Sequence, residues 1–301
     1  HWGLGGPLAE GTRLVRAPSG IVEHLAEEMI VRVLAGTPVA ELDARLAERG
    51  QFVALDPAQP QDATVGGVLA SGMSGLRRLR WGPVRDTVLE VRYVSAAGTL
   101  VRAGAPVVKN VSGFDLCRLM VGSLGTLGLL AEVVLRVMPT PATSRWLRGP
   151  GGDPRSVLAT LYRPSAVLWD GKATWVLLEG HPGDVEAQRD RLAGLGDFTE
   201  VDGPPVLPIG RRLSVPARQV LEVAAGLGDT SFVAELGVAT LHTSLLGNPR
   251  DQPADDGSAG PASGPGGGHP APSKASTLDL NHRVKGLFDP DGRLNPGRRV
   301  A

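Results

Sequence analysis

Two runs of small residues limit what this 301-residue chain can fold into. One is Ala63-Thr64-Val65-Gly66-Gly67-Val68-Leu69-Ala70-Ser71-Gly72-Met73-Ser74-Gly75; the other is Gly122-Ser123-Leu124-Gly125-Thr126-Leu127-Gly128. Glycine reaches positive φ without strain and lets main chain approach another surface closely. Both runs therefore predict turns in which backbone, rather than side chain, forms the contact face. The first falls within Asp56 to about Pro83, a stretch rich enough in Gly, Pro and small residues to read as loop.

Regular elements flank these runs. Val31-Arg32-Val33-Leu34 predicts a short strand ending at Ala35-Gly36. Thr37 reads as an N-cap, with Pro38 at the first helical position, where its missing N–H does no harm. Val39, Leu42 and Leu46 then form one apolar stripe, Glu41 and Arg45 pair four residues apart, and Gly50 ends the helix. Gln51 to Leu55 is the returning strand. Asp86 to Val94 and Thr99 to Ala103 predict a hairpin around Ala96-Ala97-Gly98. Phe114 to Val121 predicts a helix and Leu129 to Val137 a strand, closed by Pro139 and Pro141.

Beyond that point the rhythm changes. Strands are expected near 143–148, 166–170, 173–180 and 198–202, with helices near 154–163 and 183–195. This β-α-β-β-α-β order predicts a ferredoxin-like α+β cap, with Gly171-Lys172 turning between its middle strands. Further elements are expected near 216–226 and 231–246. Gly247 to Ser276 holds hardly any apolar side chains and is expected to be a disordered insertion, with His269 a solvent residue. A helix from Leu278 to Phe288 and a turn-rich tail follow. The division is then 1–141, 142–246, 247–276 and 277–301.

Lys plus Arg equals Asp plus Glu at 31 each, so nothing draws the chain to nucleic acid. Cys117 is the only cysteine, which removes a disulfide framework, an iron–sulfur cluster or a cysteine-rich zinc site from this chain. It reads as a small buried apolar side chain in a helix. The six histidines have no metal-ligand spacing, and no metal is expected. No apolar run nears the roughly 18 residues of a membrane-spanning helix and no signal peptide opens the chain, so the default location is cytoplasmic.

No strand is followed by G-x-G-x-x-G, and there is no Walker loop, HExxH or nucleophile elbow. The two small-residue runs are left to carry chemistry. Amides exposed in such turns form a concavity suited to a diphosphate or to flavin ring atoms. Thr64, Ser71, Ser74 and Thr126 add hydroxyls that can donate to the same oxygens. Spacing alone also admits ordinary turns with capping hydroxyls.

Ordered landmarks narrow the choice. Thr64-Val65-Gly66-Gly67 is followed by Trp81-Gly82-Pro83-Val84-Arg85-Asp86, by Lys109-Asn110-Val111-Ser112-Gly113-Phe114-Asp115-Leu116 and by the second run. With these, Ala63 to Pro141 resembles the FAD-binding domain of the vanillyl-alcohol-oxidase type, also called the PCMH-type fold. The tail, Lys285-Gly286-Leu287-Phe288-Asp289-Pro290 with Leu294-Asn295-Pro296-Gly297-Arg298, resembles the usual end of the same FAD-linked oxidases. A Val-Lys-Asn-Val-x-Gly-aromatic-Asp block and a cap too short for a full D-2-hydroxyacid dehydrogenase make the chain most similar to the glycolate oxidase E-subunit family.

The resemblance implies an α+β chain: a PCMH-type domain of two α/β subdomains, the short ferredoxin-like cap and a C-terminal helix. It implies non-covalent FAD, lined by Thr64, Val65, Gly66, Gly67, Ser71, Gly72, Ser74 and Gly75. Gly125, Thr126 and Gly128 would pack against the cofactor, with backbone of Leu129 or Leu130 near the adenine. Arg85-Asp86 also reads as a turn-fixing ion pair and Lys109 as a surface charge, while Asn110 and Asp115 read as turn and cap residues. Related E subunits often place a histidine where Val238 stands; His242 is nearby, but no histidine has an evident partner for taking a hydroxyl proton, and catalytic residues stay unknown.

The implied function is the FAD-binding subunit of a glycolate oxidase (glycolate dehydrogenase) complex that oxidises glycolate, a small 2-hydroxy acid, to glyoxylate. Electrons would pass through flavin to an iron–sulfur subunit, beside a larger FAD-linked subunit of similar fold. The complex could hold this cytoplasmic chain at the periphery of the inner membrane. A stand-alone FAD-dependent D-2-hydroxyacid dehydrogenase and a scaffold that has lost FAD are the other readings. The family's first diphosphate loop, an Arg-Gly-Gly-Gly-type segment, precedes a Trp-Gly such as Trp2-Gly3 and is not in this sequence. Three charge-assisted hydrogen bonds at about 1.5–3 kcal/mol each would be lost with it. The expectation is a truncated version of a longer chain, or FAD held more weakly by about three decades or more.

Overall fold

The computed structural model describes residues 8–107, 115–238, 240–244 and 274–298. The opening His1-Trp2-Gly3, the landmark Lys109-Asn110-Val111-Ser112-Gly113-Phe114 and residues 247–273 of the expected insertion lie outside the described residues. In chain order the elements are β1 (Ile21–Leu25), β2 (Ile30–Leu34), α1 (Val39–Ala47), β3 (Gln51–Phe52), α2 (Val65–Ser71), α3 (Arg78–Trp81), β4 (Val88–Val94), β5 (Leu100–Gly104), α4 (Leu116–Met120), β6 (Leu129–Arg136) and β7 (Met138–Pro139). They continue with β8 (Thr143–Pro150), α5 (Pro154–Thr160), β9 (Ala166–Trp169), β10 (Ala173–Gly180), α6 (Pro182–Ala193), β11 (Thr199–Val201), β12 (Arg211–Ser214), α7 (Val220–Ala225), β13 (Phe232–Glu235), β14 (Thr240–Thr243) and α8 (Lys274–Phe288). Two units divide the chain: one takes 1–75, 82–140 and 273–301, the other 76–81 and 141–272. The tail thus groups with the first unit, and six residues from the middle of the first half group with the second.

In the first unit an antiparallel sheet runs β1-β2-β6-β4-β5. Period-2 alternation gives it two unlike faces. Val31, Val33, Val91, Val133 and Leu135 point into the core, where α1 adds Val39, Leu42 and Leu46, α2 adds Val65, Val68 and Leu69, and α4 adds Cys117 and Met120. Each such Val or Leu contributes about 1.5–3 kcal/mol by leaving water. The opposite face carries Arg32, Glu90, Arg92, Arg102 and Glu132. There Glu90 is buried and accepts from Arg32 (3.0 Å) and Arg102 (2.6 Å), and Arg32 also reaches Glu132 at 2.7 Å. Burial pushes the Glu90 carboxyl up, but the two guanidiniums outweigh it and leave it below its ordinary value.

Several expectations change in detail. Thr37 does not cap α1: Pro38 takes that place, and the buried Thr37 hydroxyl donates to Leu34 O (2.7 Å) and accepts from Gly20 N (2.8 Å). A buried hydroxyl takes the nearest backbone groups, here those of the incoming strand. The returning strand shrinks to β3, which pairs with β7. Within the expected loop 56–83 lie α2 and α3, hidden because glycines and short length suppress helix propensity that packing then restores. The hairpin forms as β4–β5, with Ser95 N bonded to Thr99 O and Gly98 at φ +80°. Helix α8 begins at Lys274, four residues before its expected start.

The second unit has the anticipated β-α-β-β-α-β order, and its strands align β11-β8-β10-β9, the ferredoxin-like arrangement. The sheet is extended through β9 by β13-β14-β12. Strand β12 escaped notice because Arg211-Arg212 interrupts its alternation. Leu147, Val176 and Leu178 meet Val157, Val185 and Leu192 in its core. Segment 76–81 is anchored here through Glu179, whose buried carboxylate accepts from Arg77 Nε (3.1 Å) and Trp81 Nε1 (3.3 Å).

Candidate functional site

Helix α2 is seated by its own first turn. Thr64 is extended and its Oγ1 accepts from Gly67 N at 3.1 Å. Val65 N donates to Thr37 O (2.9 Å) and Gly66 N to Ala35 O (2.7 Å). A Cβ on Gly66 would lie 2.7 Å from that of Ala35, so glycine is what lets the helix abut the end of β2. These three amides are engaged within the protein. Val65, Gly66, Val68 and Leu69 face inward, leaving Thr64, Gly67, Ala70 and Ser71 half-buried along the other side.

At the far end of α2 the second run docks main chain to main chain. Gly122 N donates to Leu69 O at 2.9 Å and Leu124 N to Ala70 O at 2.7 Å. Gly72, at φ +67°, ends the helix, and a Cβ there would come within 3.0 Å of Gly122 Cα. The half-buried Gly122 has nothing within 4 Å of where its own Cβ would stand. The two runs therefore meet along one backbone-edged surface, with open space beside Gly122.

The remaining nominated residues brace that surface. Ser71 Oγ donates to Val68 O, the buried Ser74 Oγ accepts from Val84 N, and Gly75 lies so close to Asp56 that a Cβ would sit 2.0 Å from its Cβ. Thr126 Oγ1 donates to Ser123 O at 2.7 Å, and Gly128 packs under Tyr93 and Met120. Leu124 stands at φ +52°, a left-handed conformation that costs a branched residue about 1–2 kcal/mol. Thr64, Gly67, Ser71, Gly72, Gly75, Gly125 and Leu129 are half-buried. Val65, Gly66, Ser74, Thr126, Gly128 and Leu130 are buried and hold the others in place.

Other candidates resolve into structure. Asp86 pairs with Arg118 (3.0 Å) and not with Arg85, because α4 brings that guanidinium closer. Asp115 caps α4 through Arg118 N at 3.0 Å. Cys117 is buried and donates to Ala103 O; burial, then the Asp115 charge, pushes its thiol up to about 11.

Three features were not read from the sequence. Lys285 and Asn295, from α8 and the tail, bond to carbonyls of the second run. In the second unit His242 Nε2 lies 2.7 Å from Oε1 of the buried Glu235, so one histidine does have a carboxylate partner. The signal for that pair was strand alternation: Glu235 on β13 and His242 on β14 fall on the same face once Val233 opposes His242. Among the described residues no group of three or more His, Cys, Asp or Glu could hold a metal ion, and no helix is long and apolar enough to cross a membrane.

A family model for an FAD binding domain matches residues 4–104. A solved alkyldihydroxyacetonephosphate synthase superposes over 93% of this chain and 66% of its own, with TM-score 0.64 at 14% identity, which supports the fold. The molecule is thus of the PCMH-type FAD-binding class. Glycolate oxidase subunit GlcE of Escherichia coli (strain K12) is 32% identical over 99% of this chain and 89% of its own length, and the chain belongs to the GlcE family. Glycolate oxidase subunit GlcD of Bacillus subtilis (strain 168) is 35% identical over 42% of this chain but 27% of its own. A D-lactate dehydrogenase of Anaerostipes hadrus is 36% identical over 40% of this chain and 25% of its own.

Proposed function

We propose that the chain is the FAD-binding subunit of a glycolate-oxidising complex, with FAD laid on the joined surface of Thr64–Gly75 and Gly122–Leu130. The observation that carries this is the pair of bonds from Gly122 N to Leu69 O and from Leu124 N to Ala70 O, in a chain of the GlcE family. Bound FAD supplies a hydride acceptor for the carbinol carbon of a 2-hydroxy acid. The chain's part is to bind and orient. Gly72 and Gly125 let Gly122 and the Asn295 side chain close against the runs, the Thr64 hydroxyl donates to the cofactor, and the buried Val65, Ser74 and Thr126 fix the backbone that presents it.

The substrate is glycolate, which becomes glyoxylate as it loses a hydride from carbon and a proton from its hydroxyl. The partners are a larger FAD-linked subunit and an iron–sulfur subunit that takes the electrons onward; support for the first comes from the GlcE and GlcD names. The location is cytoplasmic, at the periphery of the inner membrane through that complex.

The test is reconstitution. The full chain is purified with its larger partner, loaded with FAD and given glycolate and an artificial electron acceptor. The complex is expected to turn over, the chain alone to stay inactive, and Gly72→Leu to lose both this subunit's FAD and most of the activity. Turnover by the chain alone would favour an independent dehydrogenase. Full activity with this subunit free of flavin would favour a scaffold.

A further inference from the structure

A dense polar cluster of the first unit lies at the tail, not in either glycine run. Lys285 Nζ, near the end of α8, donates to Thr126 O (2.7 Å), Leu294 O (3.0 Å) and the Asp289 carboxylate. The Asp289 side chain is fully buried and accepts from Arg293 N and Leu294 N, both at 2.8 Å. This folds 289–295 into a closed turn whose far end presents Asn295, itself at φ +44°. Asn295 Nδ2 donates to Leu124 O at 2.5 Å, and a Cβ on Gly125 would lie 2.7 Å from that nitrogen. Val284 and Phe288 pack against the core beneath, fixing α8 in register.

The two carbonyls held by the tail bracket Gly125. They belong to the part of the second run that is hardest to keep in shape. Gly122, Leu124 and Gly125 all have positive φ, and leucine does not choose that conformation on its own. On one side Leu124 N is tied to Ala70 O; on the other, Asn295 and Lys285 tie down Leu124 O and Thr126 O. Lys285 and Asn295 hold those two carbonyls, and losing their bonds would let the run relax away from α2.

We propose that Lys285 and Asn295 are positioning residues for FAD: the C-terminal turn latches the Gly122–Gly128 run against α2, so that the cofactor surface is complete only when the tail is docked. The proposal rests on the FAD reading above and adds a reciprocal coupling, since a cofactor that prefers the latched run must itself favour tail docking.

The full chain and its Asn295→Ala, Lys285→Met and Lys285→Arg variants are titrated with FAD, following flavin fluorescence and visible absorbance, while melting of each FAD-free protein is recorded separately. Asn295→Ala and Lys285→Met are expected to weaken FAD by about tenfold or more, the loss of a single good hydrogen bond to the run. The residual bound flavin should show an altered spectrum, and Lys285→Arg should restore part of the affinity. Unchanged FAD affinity and spectrum in variants that merely melt earlier would overturn the latch and leave the FAD reading intact. A wild-type chain that takes up no FAD at all would overturn both. Should the variants not fold, the wild type decides the matter: FAD should slow tryptic cleavage after Arg293 severalfold, and an unchanged cleavage rate would rule the latch out.

Discussion

Cys117 shows how an environment can be read at one residue. Its thiol sits against Ala103 O and Leu89 O inside the first core, and burial raises it to about 11, so at about pH 8 roughly one molecule in a thousand carries the reactive thiolate. The folded chain should react with a thiol-directed disulfide reagent at least a hundredfold more slowly than the same chain in denaturant; equal rates would place Cys117 outside the core. Sequence was sufficient here, since a lone cysteine within an apolar helix has few alternatives. It was insufficient for Gly66, Gly72 and Gly75. Their composition announces close approach, but what they approach (Ala35, Gly122 and Asp56) is set by tertiary structure. It was blind to Lys285 and Asn295, whose partners lie 159 and 171 residues away.

At the scale of elements, what can be read depends on how much each stretch has to do with water. Strands with one wet face, such as β2, β4 and β6, announce themselves by alternation, and the ferredoxin-like order of the second unit followed from the same signal. Helix α2 does not. Two glycines in its first turn lower its propensity, and only the burial of Val65, Val68 and Leu69 and the Thr64 cap make it a helix. Thr64→Ala should therefore cost about 1 kcal/mol in urea unfolding, with FAD affinity falling as well because the cap seats the helix that carries the proposed surface. A variant of unchanged stability would mean that the Gly67 N bond does not contribute to seating α2. Strand β12 and the two-residue β3 were illegible for opposite reasons: paired arginines masked one, and the other is too short to show a period.

Across the whole molecule, acid is expected to act mainly on the first unit. Glu90 and Asp289 are both buried there, which pushes each carboxyl up. For Glu90 the guanidiniums of Arg32 and Arg102 outweigh burial; for Asp289 the Lys285 ammonium and the Leu294 and Arg293 amides do. Both carboxyls are left below their ordinary values. A carboxyl depressed in the folded state stabilises it above its unfolded value, near about 4, and that contribution is lost as pH falls through the folded value. Urea midpoints should hold steady from neutral to about pH 5 and then fall steeply below about pH 4. A midpoint that does not move on acidification would remove both clusters from the stability account.

The central claim is that two distant runs of small residues make one cofactor surface. Hydrogen exchange of the full chain with and without saturating FAD tests it most directly. Protection is expected to rise together in 64–75 and 122–130, while strands β9 and β10 of the second unit keep their exchange rates. FAD bound with neither run protected, or protection confined to one of them, would contradict it.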